Sequence, residues 1–176
     1  MVCGSGNKHW LIGVLMLSSN LAQAQGCNNS ITATAPDDRY QDHGDGTVTD
    51  LHTGLMWQQC SVGQSGSDCA EGVAEQIRWD LVLEHSEALR SNDGFAGYAD
   101  WYVPNRNELA SLVEDACYGP AINVSVFPNT PSDAYWSSSP HANNEEGTYY
   151  VHFNYGSIDY NQRTYWHYVR LVRVVR

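Results

Sequence analysis

The chain has 176 residues, of which 42% are hydrophobic, 11% aromatic and only 16% charged, and its formal charge is −11 at pH 7. That length suits one domain with its own core, and the apolar and aromatic content excludes wholesale disorder, a collagen or coiled-coil rod and a low-complexity scaffold. The acidity argues against a nucleic-acid binder that works by neutralising phosphates.

Residues 1–24 read as a secretory signal: Lys8 gives a weak positive start, Trp10 to Leu17 is a short apolar run, and Ala22-Gln23-Ala24 fits the small-x-small cleavage rule. The apolar run is too short to cross a hydrocarbon layer of about 30 Å. Two other readings compete with it. One is a buried N-terminal strand; the other is a lipoprotein leader acylated at Cys27, although Ala24 stands where such leaders usually carry Leu. Cleavage after Ala24 removes Lys8, the chain's single lysine, and Cys3. Cys27, Cys60, Cys69 and Cys117 remain. An even number in an oxidising compartment predicts two disulfides, for which four cysteines allow three pairings. The short Gly- and Ser-rich loop between Cys60 and Cys69 favours that pair and leaves Cys27 to Cys117. Zinc is not indicated, because the CxxC-type spacing is absent.

Residues 25–39 read as an extended lead-in and residues 40–176 as one domain. Gly44-Asp45-Gly46 and His52-Thr53-Gly54 are turn signals around the strand-like Thr47–Thr49 and Leu55–Trp57. A helix is predicted over about Asp80–Ser91, with Val82, Ser86 and Leu89 on one face and Gly94 beyond its end. A second helix starts after Asn105, where Glu108 completes a capping box. Leu109, Leu112, Val113 and Ala116 then form an apolar stripe, and Gly119-Pro120 stops it. Tyr135–Ser139, Thr148–Phe153 and Tyr165–Val175 read as strands, with a turn at Asn154–Ser157. The class is α+β: an antiparallel sheet with two helices, stapled by disulfides.

Several phrases in this order carry a resemblance. They are Gly44-Asp-Gly-Thr-Val-Thr-Asp50, Gly54-Leu-Met-Trp57, Gly97-Tyr-Ala-Asp-Trp101, Pro104-Asn-Arg-Asn-Glu-Leu109, Ser111-Leu-Val113, Phe127-Pro128, Tyr135-Trp-Ser-Ser-Ser139 and Tyr168-Val-Arg-Leu-Val-Arg173. Over about residues 40–176 the chain resembles the C-terminal domain of the Lcl collagen-like adhesin, a bacterial family. The Trp101-x-x-Pro104-x-x-x-Glu108-Leu109 phrase is also similar to the C-type-lectin-like and formylglycine-enzyme superfold, which implies first and last strands side by side and neighbouring termini. The chain departs from the adhesin in lacking a Gly-X-Y stalk and in its acidity, which opposes binding of a sulfated polyanion. Copper-binding cysteines do the chemistry in formylglycine-generating enzymes; here the cysteines are assigned to disulfides.

No catalytic constellation emerges. His43, His52, His85, His141, His152 and His167 show no HxH or HxxxH spacing. Ser137, Ser138 and Ser139 lack a nucleophile elbow, and their strand setting predicts hydrogen bonds along a sheet. Asp42, Asp45 and Asp50 are calcium candidates, yet the ligand series is incomplete and Asp-Gly is also ordinary hairpin chemistry. No other cofactor is indicated. Arg170, Arg173 and Arg176 recur every third residue in a Val- and Leu-rich strand, where buried guanidinium groups call for carboxylate partners.

Aromatic residues crowd between Tyr149 and Tyr168, interleaved with amide and charged groups. A polar loop from Gly156 to Thr164 would present them, and loops on a rigid scaffold are where binding residues concentrate. The candidate ligand-binding set is Tyr155, Asp159, Tyr160, Asn161, Arg163 and Trp166; the competing reading is tyrosines that cover a sheet. The function expected is a secreted, periplasmic or surface-exposed binding module, adhesin-like and non-catalytic, for a glycan or a cell-surface protein, with no transmembrane segment. The alternatives are a secreted enzyme of the formylglycine-generating type, an unknown hydrolase, or a purely structural surface domain.

Overall fold

The computed structural model describes residues 24–91 and 94–175. The leader expected before Ala24, the side chain of Leu89 and Arg176 lie outside the described residues. In chain order the strands are β1 (Gly26–Cys27), β2 (Tyr40–Asp42), β3 (Thr47–Asp50), β4 (Leu55–Gln58), β5 (Gln64–Ser65), β6 (Glu71–Gly72) and β7 (Ile77–Arg78). Helices α1 (Trp79–Ser91) and α2 (Arg106–Ala110) follow, then β8 (Cys117–Tyr118), β9 (Ala134–His141), β10 (Asn144–His152), β11 (Ser157–Gln162), β12 (Trp166–His167) and β13 (Val172–Val174).

Two sheets dominate this α+β fold. One has four strands in the order β13-β4-β3-β2, the other three in the order β11-β10-β9, and every pairing in them is antiparallel. The turn from β2 to β3 is made by its aspartates: Asp42 accepts from the Gly44 N–H, and Asp45 accepts from both the N–H and the hydroxyl of Thr47. Gly46 sits at φ +85°, and a β-carbon there would come within 3.1 Å of the Phe95 ring. Alternation along β4 sends Leu55 and Trp57 into one core cluster, with Leu112, Phe127, Tyr135 and Phe153. Met56 points into the other, with Trp101, Trp136 and Leu171. The four-stranded sheet is therefore covered on both faces, and all eight residues of β3 and β4 are buried. No helix among the described residues is long and apolar enough to cross a membrane.

Both expected disulfides form, Cys27–Cys117 and Cys60–Cys69. A sulfur held in a disulfide cannot also carry a thioether-linked lipid, which removes Cys27 as an acylation site. The bridge ties β1 to β8, and Glu114 clamps the arm behind it. Its buried carboxylate accepts from the N–H groups of Thr34 at 3.1 Å, Ala35 at 2.8 Å and Ala116 at 2.9 Å. Burial pushes this carboxyl upward, but those bonds outweigh it and hold the group below its ordinary value.

Several expectations are corrected. Asn105 caps α2 through the expected box, but the helix ends at Ala110. Leu112 N–H and Val113 N–H bond three residues back, to Leu109 and Ala110, and Val113 then bridges to Ile122. The apolar stripe is real at Leu109 and Leu112, which are fully buried, while the backbone beyond is drawn away to meet residues 121–122. The last strand is broken into β12 and β13, because the chain leaves β7 and crosses to β4. The first and last strands are not neighbours: β1 pairs with β8, and β13 with β4.

Arg170 departs most from expectation. It is fully buried and has no carboxylate partner among the described residues, and donates to the carbonyls of Gln58 and Gln59 and to the hydroxyls of Ser61 and Thr130. Its guanidinium lies 4.8 Å from the centre of the Phe127 ring. Burial lowers its pKa, and burial pushes the neighbouring Tyr135 hydroxyl up to about 12. Backbone carbonyls and ring faces here replace the counter-charge. Arg173 does follow the rule, with Asp100 at 2.6 Å.

Candidate recognition surface

The segment read as a polar loop is mostly strand. β11 pairs with β10 from His152↔Ser157 to Gly147↔Gln162, and only the ends of the segment are turns. The period of two seen in Ile158, Tyr160 and Gln162 suits a strand once a partner lies alongside. Of the candidate set, Tyr155 lies in the turn before β11, Asp159, Tyr160 and Asn161 lie on it, Arg163 follows it, and Trp166 opens β12.

Alternation divides these residues between two faces. On one, Tyr160 stacks on His141 with ring centres 3.8 Å apart and planes at 23°. Tyr149 lies 5.3 Å from His141 and 6.5 Å from Tyr160. The Arg106 guanidinium covers Tyr149 at 4.5 Å, and Ser139 fixes the start of α2 by accepting from the Arg106 N–H. Arg106, His141 and Tyr149 were absent from the candidate set. Arg106 follows the helix cap that sequence reading identified, but only the packing of α2 on β9 and β10 brings it to these rings.

On the other face Asn161 meets His167 at 3.5 Å, and the His167 ring lies 4.2 Å from Trp136 and 5.0 Å from Tyr150. Burial holds the His167 imidazole below its ordinary pKa, against the pull of Asp133. Arg163 is committed to the scaffold: it donates to the buried Thr148 hydroxyl at 3.0 Å, and its guanidinium lies 5.7 Å from the Trp79 ring centre. Trp166 stands opposite Arg78, which pairs with Asp80 at 2.9 Å.

The outer edge of β11 is closed by its own side chains. Asp159 accepts from the Tyr160 N–H at 2.8 Å, and Asn161 from the Gln162 N–H at 3.0 Å. Two donors that an added strand would use are thus occupied, so contact here falls to rings and side chains rather than to backbone pairing.

The remaining candidates are placed as follows. Asp50 is fully buried and is bound by Arg39, by the Thr53 hydroxyl and by the His52 N–H. Burial raises its pKa, but these partners outweigh that and bring it below the ordinary value. Asp42 and Asp45 serve their own turn, and among the described residues no group of three His, Cys, Asp or Glu side chains is disposed to hold a metal. Ser137 donates across the sheet to the Tyr149 carbonyl, as its strand setting predicted. His152 accepts from the Asn154 N–H through Nδ1, which leaves Nε2 facing Asp133 at 3.5 Å; the lone pair a general base would use is taken by the backbone.

No curated protein matches the chain. The description of the Lcl C-terminal domain does match it, over residues 46–173, a span that runs from the turn before β3 into β13 and takes in the three-stranded sheet with its ring-bearing hairpin and the four-stranded sheet except β2. On that match the chain belongs to the Lcl C-terminal domain family.

Proposed function

We propose that this domain is a secreted or surface-exposed, non-catalytic recognition module, adhesin-like in use, which binds a glycan or protein ligand through the aromatic residues of β11 and its flanking turns. One observation carries the reading. Tyr155, Tyr160, Tyr165 and Trp166 are 74%, 45%, 53% and 55% exposed, and none of them belongs to either core cluster. Rings left this open to water are costly to keep and suit stacking on a ligand. Family membership and the two disulfides support a setting outside the cytoplasm, reached by cleavage after Ala24. Arg106 contributes a guanidinium already oriented by Tyr149. The net charge of −11 favours a neutral or cationic ligand over a sulfated polyanion.

A glycan-array screen of the exported protein tests this, repeated with Tyr160→Ala and Trp166→Ala after each is shown to fold. The expected result is a defined ligand whose binding falls in both variants. Full binding by both would place the surface elsewhere. Tight, salt-sensitive binding to a heparin-like polymer would overturn the charge argument.

A further inference from the structure

The start of the described chain is built with unusual care. Gln25 is half-buried, and its side-chain Nε2 donates to the Pro120 carbonyl at 2.6 Å and the Ile122 carbonyl at 2.7 Å. Gly26 follows, where a β-carbon would come within 2.4 Å of the Tyr118 ring, so only glycine lets that ring lie across the arm. Cys27 is next, paired in register with Cys117 and bonded to it, and the Asn28 N–H donates to the Ala116 carbonyl at 2.7 Å. Gln25 also lines two cavities, of about 450 and 350 Å³.

Cleavage after Ala24 makes Gln25 the first residue, and the inference rests on that cleavage. A free N-terminal glutamine is reactive. Its α-amine attacks its own Cδ, the Cδ–Nε2 bond breaks, Nε2 leaves with a proton as ammonia, and a five-membered lactam remains. No oxidant or co-reactant is needed.

We infer that the fold protects this N-terminus from cyclisation by gripping the leaving amide. Reaction requires the side chain to close on its own α-nitrogen, whereas the seated carboxamide is held by two carbonyls on the 120–122 segment. Cyclisation would also strip both carbonyls of their donor, because the departing ammonia is the atom that binds them. The backbone that follows is restrained, since Gly26 and Cys27 pair with β8 and Cys27 is held by the disulfide. The mature chain thus keeps a free α-amine and an intact carboxamide as long as its arm is docked.

Intact mass and N-terminal peptide analysis of exported, oxidised protein test this, with samples incubated native or reduced and denatured. The expected result is a chain beginning at Gln25 that retains its ammonia when native and loses it roughly tenfold or more faster when unfolded, the factor that two ordinary hydrogen bonds imply. A glutaminyl cyclase should likewise convert the unfolded chain and spare the native one. Equal rates in the two states, or a native product already cyclised, would overturn the inference. A chain beginning at another residue would overturn it too, and the same spectrum reports that separately from the ligand-binding reading.

Discussion

The two large sheets use the same residue types to opposite ends. In the four-stranded sheet Val48 and Trp57 are fully buried, and every residue of β3 and β4 is covered on both sides. In the three-stranded sheet five of the six residues of β11 are exposed, Ile158 and Tyr160 among them. An aromatic or branched residue in a strand is therefore no evidence of a core. What separates the two sheets is what covers each strand: β3 and β4 are enclosed by both clusters, as are parts of β9 and β10, while β11 contributes no residue to either. The first sheet should respond to mutation through stability, and β11 at the edge of the second through binding.

The sharpest test of this contrast is Arg170→Met. It takes the guanidinium donors from two buried carbonyls and from the Thr130 and Ser61 hydroxyls, of which Ser61 keeps its bond to Tyr135, and should cost about 3–5 kcal/mol in chemical denaturation. A loss below 1 kcal/mol would mean that water replaces the guanidinium and that the core beside β4 is open. Replacing both Cys27 and Cys117 by Ser should cost about 2–5 kcal/mol, more than the same change at Cys60 and Cys69, because the bridges span 90 and 9 residues. The reverse order would show that the N-terminal arm contributes little to the core.

Glu114→Gln should cost about 1–3 kcal/mol, since an amide cannot accept from all three N–H groups the carboxylate serves. Glu114 and Asp50 both have pKa values lowered on folding. Each therefore contributes stability that is fully present above the unfolded carboxyl values of 4.5 and 3.8 and is lost as pH falls through the lower folded values. Melting temperature should drop steadily below about pH 4 in the wild type and less steeply in Glu114→Gln. The smallest effect belongs to the outer hairpin: Tyr160→Ala should shift stability by no more than about 0.5 kcal/mol. A larger loss would show that the stack on His141 belongs to the fold.

Legibility in the sequence followed the range of the interactions. The turn at residues 42–47, the capping box at Asn105 and Glu108, and the strand patterns around Trp57 and Tyr135 are local, and they stand in the structure as read. The end of α2 was not legible, because residues 121–122, outside that window, pull Val113 and Glu114 out of the helix. The segment 157–162 looked like a loop because its polar residues obscured an alternation that has meaning only beside β10. The candidate site was half visible: its rings were countable, but Arg106 and His141 reach them from α2 and β9.

By itself, then, the sequence determined what depends on spacing along the chain. That comprised the α+β class, the disulfide pairs, the caps and turns, and the aromatic-rich stretch after residue 149. Only the tertiary structure decided which of those rings are core and which are surface, and that Arg170 is held by carbonyls and hydroxyls rather than by acids. It also decided that Glu114 holds the N-terminal arm. The physical reason is that burial and hydrogen-bond partnership are set by segments tens of residues apart: Gln58 and Gln59 against Arg170, Thr34 and Ala35 against Glu114, Gln25 against Pro120. A local pattern fixes the direction a side chain takes, and the fold fixes what it meets.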